Sequence, residues 1–558
     1  MAASEITAVK AVNKVEVNGE TVIDLTQDTV TPGTLKQGVT AHSASGQQIV
    51  GTLSVAVEVP EKDINFYDYD ATRLYSWTLE ELASKTALPD LPSHSGLICQ
   101  GWNWTLEQLK AEEGPMDVGA MYITDDGKTR YYITVTEDEL SLSLGVNLNG
   151  SATVDWGDGT PTETLTSTAG GVDTRTQDHT YQSPGNYIVT LAIDSGNATL
   201  WRKDLVRVSD MFMGAGDKAT FSYNHIIRGV QIGAGIRWGQ YEFMGSTNMQ
   251  WITTPISFDT FNGAWGFRYT GVKALFSVSE KASFNAAAAC PNLRVLSLGP
   301  ECSSLYAVFT SSFVDVKIPK SVSSFTGQTC RATGIKQLTV SQPIDVFSNY
   351  CMYDCSQLRK VTFREDVATI GQYSFTNCFS LQSVVFEKNV GTLGQTAFDE
   401  CRMVQMYDFS HCTSVPVMQN SNVFGGTNIN ANCRIRVPAA LVDEWKAATN
   451  WSTYADHIVG VGISKVDHIS MIAGPVPMPV YVSLLNLPSE PTDFSVNVSP
   501  EGLTISDLVC MQTQLSFAIC ATDSTDGTFT VTMTVSGDEY SYTGLFDVTV
   551  ELDGEIVE

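Results

Sequence analysis

Basic side chains are scarce in this sequence of 558 residues. Lysine and arginine together number 33 against 61 aspartate and glutamate residues, which gives a formal net charge of −28 at pH 7. Binding to the phosphate backbone of nucleic acid, or to an anionic membrane surface, requires clustered lysine and arginine. The sequence also lacks an uncharged apolar run of about 20 residues, the length of a membrane-spanning helix. We therefore expect no nucleic-acid partner and no membrane insertion.

Recognisable catalytic motifs are missing as well. The sequence contains no H-E-x-x-H zinc motif and no G-x-S-x-G nucleophile turn. A phosphate-binding loop ending in Gly127-Lys128-Thr129 would need a glycine where Tyr122 stands. Acidic residues are abundant, but no pair stands out as the acid and base of a glycosidase. The histidines are scattered: His42, His94, His179, His225, His411, His457 and His468. We predict a protein that is not an enzyme and that uses no cofactor and no metal.

The twelve cysteines fit buried thiols better than disulfides or a zinc site. Nine of them lie within residues 290–433, mostly at one recurring position. Cys351 and Cys355 form a C-x-x-x-C pair, but no second cysteine pair or nearby histidine completes a zinc site. Whether Cys510 and Cys520 pair with each other stays open at this point.

One phrase recurs three times at a fixed interval in the second half of the chain. A cysteine is followed by apolar residues three, six and eight positions later, in Cys355–Phe363, Cys378–Phe386 and Cys401–Phe409. The cysteines lie 23 residues apart, and Phe375 and Phe398 each precede a cysteine by three positions. A strict period in this range indicates a solenoid, whose units bury their apolar faces by stacking on their neighbours.

This phrase resembles the leucine-rich repeat of the BspA type, found in surface proteins of gut and oral bacteria and in some of their phages. The same spacing of apolar residues recurs in earlier copies, more weakly in the last three named here: Leu293-Leu296-Leu298, Phe313-Val316-Ile318, Ile335-Leu338-Val340, Ile227-Val230-Ile232, Met249-Ile252 and Val272-Leu275. We predict one array over residues 221–460, in which about ten coils form a ladder of roughly 45 Å. A helix starting after Pro438, with Trp445 on its apolar face, resembles the cap that closes such arrays.

Residues 1–55 are predicted to be a β module with a tight hairpin at Asn18-Gly19 and with His42 in a turn. They resemble a small module of tail and other minor structural proteins of phages, which implies attachment to a virion. The matching residues are Asp24-Leu25-Thr26, Asp28-Thr29-Val30-Thr31-Pro32, Gly38, Thr40-Ala41-His42, Ala44-Ser45-Gly46, Ile49 and Gly51-Thr52. The first residues, MAASEITAVKAVNKVEV, lack a basic segment followed by an apolar run, so we expect no signal peptide.

Residues 56–140 are predicted to form a small α+β unit. Thr78 with Glu81, and Thr105 with Gln108, have the spacing of capping boxes and predict the starts of two short helices. The segment 123–133, with Asp126-Gly127 at its centre, favours a β-hairpin.

Two β-sandwiches are expected to flank the array. Residues 141–208 resemble a PKD-type immunoglobulin-like domain, on the turn Trp156-Gly-Asp-Gly159 and on His179-x-Tyr181 followed by Gly185-x-Tyr-x-Val-x-Leu191. We interpret Asp155 and Asp158 as turn-forming residues rather than calcium ligands. Residues 461–558 alternate apolar and polar side chains between glycine-rich turns, which predicts a second sandwich.

The predicted fold class is mainly β and multidomain: hairpin module, α+β unit, PKD-like sandwich, capped leucine-rich-repeat solenoid and C-terminal sandwich. These features favour a non-enzymatic phage virion protein of the tail or an appendage, assembled in the host cytoplasm and acting outside the cell. Its expected partners are other virion structural proteins and a glycan or protein of the bacterial surface, and a homo-oligomer stays open. The alternatives are a structural or decoration protein of the virion and a bacterial surface adhesin. The candidate receptor contacts are tyrosines outside the inward-facing positions: Tyr350, Tyr353 and Tyr373.

Overall fold

The chain divides into two compact units, residues 1–60 and 61–558, in a computed structural model. The structure describes residues 14–17, 20–24, 40–42, 48–50, 59–112, 114–168, 173–200, 206–207, 226–237, 243, 246–257, 267, 270–278, 281–283, 290–306, 315–326, 330–331, 333–426, 429–522, 524–538 and 540–552. The residues Phe313 and His225 lie outside these ranges, as do the following parts of the phage-like motif: Leu25-Thr26, Asp28–Pro32, Gly38, Ala44-Ser45-Gly46 and Gly51-Thr52.

The first unit contains two antiparallel strand pairs. Strand β1 (Lys14–Val17) pairs with β2 (Glu20–Asp24), as the Asn18-Gly19 signal predicts. Strand β3 (Thr40–His42) pairs with β4 (Gln48–Val50). His42 was expected in a turn, but it is the last residue of β3 and is exposed.

The second unit begins with a four-stranded sheet in the order β6-β5-β8-β7. Its strands are β5 (Ile64–Tyr67), β6 (Arg73–Trp77), β7 (Leu97–Trp102) and β8 (Met116–Thr124). Helices α1 (Leu79–Ser84) and α2 (Leu106–Ala111) start at the predicted capping boxes, where Thr78 and Thr105 accept hydrogen bonds from backbone N–H groups three residues on. The side chains of Asn103 and Trp104 donate to the carbonyls of Ser277 and Leu298, which fixes the sheet against the solenoid.

A nine-stranded sheet follows and extends into the first repeats. Its strands are β9 (Thr129–Val135), β10 (Ser141–Asp155), β11 (Glu163–Thr166), β12 (Asp173–Thr180), β13 (Gly185–Leu200), β14 (Val206–Arg207), β15 (Ile227–Gln231), β16 (Ile236–Arg237) and β17 (Trp251–Thr253). Strand β9 pairs antiparallel with β13 and, on its other edge, with β15. The hairpin predicted at 123–133 is therefore wrong: β8 and β9 flank the turn, but each finds its partners in a different sheet.

Two walls of parallel strands form the solenoid, which has about eight turns. The first wall contains β18 (Ala274–Phe276), β20 (Val295–Ser297), β23 (Gln337–Val340), β25 (Lys360–Phe363), β27 (Ser383–Phe386), β29 (Met406–Asp408), β31 (Arg434–Pro438) and β32 (Ile458–Ile463). The second contains β19 (Lys281–Ser283), β21 (Ser304–Tyr306), β22 (Ser324–Thr326), β24 (Ile344–Phe347), β26 (Val367–Ile370), β28 (Val390–Leu393) and β30 (Val417–Met418). The number is smaller than the ten coils predicted, because the repeats at Ile227 and Met249 belong to the sheet shared with β9.

The inward positions of the repeat phrase form the core. In the first copy, Cys355, Leu358, Val361 and Phe363 are all fully buried. One apolar cluster joins described residues from Tyr131 to Ile458, and within the solenoid each coil buries its apolar face against the next.

A short helical segment covers the core of the last coil. It consists of helix α3 (Val442–Ala447) between single 3₁₀ turns at Ala439–Leu441 and Trp451–Tyr454. The rings of Trp445 and Trp451 are fully buried, 4.5 Å apart, and lie 5.2 and 5.6 Å from the ring of Phe409. They shield from water an apolar face that no further coil would cover.

The C-terminal region continues the first wall of the solenoid. Its strands are β33 (Ile469–Ile472), β34 (Met478–Leu485), β35 (Asp493–Ser499), β36 (Leu503–Met511), β37 (Gln514–Ala521), β38 (Gly527–Gly537) and β39 (Tyr540–Glu551). Strand β32 is parallel to β31 and antiparallel to β34, so one nine-stranded sheet runs from β23 to β36. The four-stranded sheet β33-β39-β38-β35 packs against the last strands of the nine-stranded sheet, β34, β37 and β36. A separate apolar core lies between them. The free edge of the last coil is thus paired rather than exposed.

Candidate functional site

The three tyrosines singled out in the sequence lie together on the connections that lead from the second wall to the first. Tyr350 and Tyr373 occupy equivalent positions of neighbouring coils, and their rings stack with centroids 4.9 Å apart and planes 9° from parallel. The ring of Tyr353 meets that of Tyr350 edge-on at 5.6 Å. All three side chains are partly exposed. The structure therefore brings the three candidates into one surface cluster.

Two left-handed backbone positions recur in each of these connections. The first is Tyr350, Tyr373 and Thr396, with φ of 59°, 55° and 52°; the second is Asp354, Asn377 and Glu400, with φ of 62°, 64° and 59°. Each set has a step of 23 residues. Left-handed backbone is uncommon for residues other than glycine, although Asn and Asp are enriched there. Because the same turn is repeated in these three coils, the side chains of Tyr350 and Tyr373 leave the backbone in the same direction and stack.

Two neighbours of the tyrosines were not foreseen in the sequence. The guanidinium carbon of Arg331 lies 4.8 Å from the centroid of the Tyr353 ring, within cation–π range. The side-chain nitrogen of Asn377 donates to the Tyr353 hydroxyl at 3.2 Å and to Asp354 at 2.8 Å. We call Tyr350, Tyr353, Tyr373, Arg331 and Asn377 the tyrosine cluster. The step of 23 residues between Asp354 and Asn377 could have predicted this turn from the sequence. Nothing in the sequence predicted the position of Arg331, because that position depends on the register of the coils.

The hydroxyl groups of Tyr350 and Tyr373 have no hydrogen-bond partner within the part of the chain that the structure describes. The two rings cover one face of each other, so they present hydroxyl groups and ring edges to solvent. Such a surface can donate and accept hydrogen bonds and can pack against apolar C–H groups. It offers binding chemistry rather than an acid, base or nucleophile poised for catalysis.

The cysteine column is structural, and its chemistry is more specific than the sequence indicated. The thiols of Cys355, Cys378 and Cys401 donate to backbone carbonyls of the preceding coil at 2.9, 3.2 and 3.0 Å. Burial raises the pKa of the Cys378 thiol well above its usual value, which keeps the thiol protonated and able to donate. Cys510 and Cys520 are both free thiols and do not form a disulfide with each other.

Asp155 and Asp158 stabilise a turn, in agreement with their interpretation as turn-forming residues. Asp155 accepts from the backbone N–H of Gly157 at 2.9 Å, and Asp158 accepts from the N–H of Thr160 at 3.1 Å. Asp158 also lies 2.8 Å from the ring nitrogen of His179, whose ring stacks on Trp156. Burial raises the pKa of the Asp158 carboxyl, but hydrogen bonds with Thr160 and His179 outweigh this effect and lower the pKa to about 2.

No group of three or more His, Cys, Asp or Glu side chains is arranged to hold a metal ion among the residues that the structure describes. None of the helices in those same ranges is long and apolar enough to cross a membrane.

Comparison with known proteins identifies the repeat region. None of the curated proteins matches the chain. Among solved structures, the chain is similar to a leucine-rich repeat protein from Bacteroides ovatus ATCC 8483, with 15% sequence identity over 53% of this chain and 85% of that chain and a TM-score of 0.24. Residues 284–405 match the family model for the BspA type leucine rich repeat region, in six copies. The chain therefore contains a BspA-type leucine-rich repeat region.

Proposed function

We propose that this protein is a non-enzymatic adhesin, carried on a phage tail or appendage, that binds the surface of the bacterial host through its solenoid. The observation that carries the proposal is the tyrosine cluster: three partly exposed aromatic side chains on adjacent turns, two of them with hydroxyl groups that make no hydrogen bond within the described ranges. Tyrosine is enriched where proteins bind partners, because its ring is rigid and apolar and its hydroxyl is polar.

The solenoid geometry supports a repetitive ligand. Tyr350 and Tyr373 repeat at 4.9 Å, close to the spacing of about 4.8 Å between stacked strands. An extended surface with an even spacing suits a glycan of repeating units or an extended protein segment. The bound partner would lie along the coils, with its polar groups on the tyrosine hydroxyls and on Asn377.

The virion location is supported by the likeness of residues 24–52 to the phage module. Other structural proteins of the particle would then be the second class of partner. A bacterial surface adhesin would use the same solenoid surface, and mass spectrometry of purified particles and of host envelopes distinguishes the two locations.

Replacing both Tyr350 and Tyr373 with alanine is expected to lower adhesion of the purified chain to a panel of gut bacterial cells at least about tenfold, since contact aromatics contribute strongly to binding. The Tyr350→Phe/Tyr373→Phe variant keeps the stacked rings and isolates the contribution of the hydroxyl groups. Tyr481→Ala is the matched control, because that tyrosine is 67% exposed but lies in the C-terminal region. Equal adhesion of the alanine variant and the wild-type chain would contradict the assignment of the tyrosine cluster as the contact with the host surface.

A structural or decoration role in the particle is the second candidate, and one observation favours it. The C-terminal region exposes several large apolar side chains by 60% or more: Ile472, Val476, Tyr481, Met511 and Leu545. Where such side chains form a contiguous patch, they mark contact with other proteins. A wild-type chain that adheres to no cell but co-purifies with particle proteins would favour this role.

A further inference from the structure

A polar recess of about 320 Å³ opens on the first coils, at a different part of the ladder from the tyrosine cluster. Its lining consists of Thr247, Asn248, Gln250, Lys273, Asn292 and Arg294. We call this site the polar recess. Its volume is at the lower end of the range for small-molecule sites.

Backbone hydrogen bonds between coils bring its side chains into one row. The N–H of Lys273 donates to the carbonyl of Gln250 at 3.0 Å, and the N–H of Arg294 donates to the carbonyl of Lys273 at 2.8 Å. Gln250 stands just before β17, and Lys273 and Arg294 stand just before β18 and β20 of the first wall. Gln250, Lys273 and Arg294 therefore follow one another at the spacing of the coils, about 4.8 Å.

The recess brings together two cations from neighbouring coils. Lys273 is half-buried and Arg294 is exposed, and neither forms an ion pair within the described ranges. Elsewhere, for example at Lys62, Lys388 and Arg436, cations lie against a carboxylate. Two like charges on neighbouring coils repel each other, and an anion between them would relieve the repulsion and accept two charge-assisted hydrogen bonds.

The remaining side chains add neutral polar groups around this positive centre. Asn292 and Gln250 each carry amide donors and a carbonyl acceptor, which match the hydroxyl groups of a sugar. A ligand that places an anionic group against the two cations and hydroxyl groups against the two amides is an acidic monosaccharide unit. A bare inorganic anion would leave the amide positions unused.

We propose that the polar recess binds the anionic group, a carboxylate or a phosphate, of a sugar unit in a bacterial surface polymer. This inference rests on the proposed function and deepens it, because it names the chemical class of the surface ligand. Lys273 and Arg294 hold the anionic group, and the amides of Gln250 and Asn292 take the neighbouring hydroxyls.

Calorimetric titration of the full chain tests this assignment. The probes are trigalacturonate for the carboxylate, glucose 6-phosphate for the phosphate and maltotriose as the neutral sugar. We expect saturable binding of at least one anionic probe, weakened at least about tenfold in Lys273→Gln/Arg294→Gln, since two hydrogen bonds to charged groups are lost. Arg359→Gln is the matched control: it removes one charge from an exposed position just before β25, outside the recess. Maltotriose should bind at least about tenfold more weakly than the preferred anion.

Two results would overturn the inference: no saturable binding of either anionic probe, or equal binding by the double variant and the wild-type chain. Comparison of the two anionic probes shows whether the source is a carboxylated or a phosphorylated sugar. Unchanged unfolding midpoints of the variants show that the fold is intact. If the wild-type chain adheres to cells but the recess binds no anion, the recess assignment fails alone. If the recess binds an anion but the chain adheres to no cell, the proposed function fails and the recess stands.

Discussion

Replacing Phe375 with alanine is expected to lower the free energy of unfolding of the solenoid by about 3–5 kcal/mol. Phe375 is fully buried, and its ring is stacked between those of Phe347 and Phe398 at 5.1 and 5.0 Å. These rings belong to successive coils, so the alanine leaves a cavity between the rings of Phe347 and Phe398. The loss includes the burial of the ring and the contacts around the cavity, since neighbouring coils relax only partly.

Phe379→Ala is the matched control, because this phenylalanine lies four residues further on in the same coil and is 50% exposed. Its replacement should change the free energy of unfolding by no more than about 0.5 kcal/mol. Urea denaturation of both variants, followed by circular dichroism, gives the comparison. Equal losses in the two variants would contradict a core made of stacked coils.

Replacing Trp451 with alanine is expected to destabilise the end of the solenoid by about 3–5 kcal/mol. The ring is fully buried against Phe409, Phe424 and Trp445, and its N–H donates to the carbonyl of Pro416 at 2.7 Å. Without it, water reaches the apolar face of the last coil. Because the end coil has no further repeat to bury it, the effect should be strongest in residues 390–437.

Hydrogen exchange resolves this effect along the chain. Amides of residues 390–437 should exchange faster in Trp451→Ala than in the wild-type chain, whereas Lys446→Ala, an exposed change on α3, should leave them unaffected. Unaltered exchange in the tryptophan variant would mean that the C-terminal sheet alone closes the solenoid.

Local patterns in the sequence predicted the elements that depend on residues close together in the chain. The inward positions Leu358, Val361 and Phe363 follow from spacing alone, and all are buried. Thr78 and Thr105 mark helix starts because a capping box lies within four residues. The likeness of residues 141–208 to a PKD-type domain and of residues 24–52 to a phage module stays a prediction.

Features that depend on the choice of partner were not predicted. The segment of β9 alternates as a strand should, but nothing in it specifies pairing with both β13 and β15 rather than with β8. In the same way, β32 shows no local mark of its antiparallel pairing with β34. These are contacts across long sequence separation, for which residue spacing carries no information.

The tyrosine cluster and the polar recess were also only partly predictable from the sequence. Tyr350, Tyr353 and Tyr373 were predicted as aromatic residues outside the inward positions, but Arg331 reaches the Tyr353 ring only through the register of the coils. Lys273 lies in a weak copy of the repeat and Arg294 in the copy Leu293-Leu296-Leu298, both before the clear cysteine phrase begins. Their adjacency appears once the coils are aligned by their backbone hydrogen bonds.

Hydrogen-exchange footprinting of the full chain, free and bound to cell envelopes of a strain to which it adheres, tests the central claim most directly. The account predicts that protection on binding concentrates in the solenoid, around residues 331–377 and 247–294. Protection confined to the C-terminal sandwich at 463–552, or to the α+β unit at 61–124, with the solenoid unchanged, would contradict a solenoid that binds the host surface.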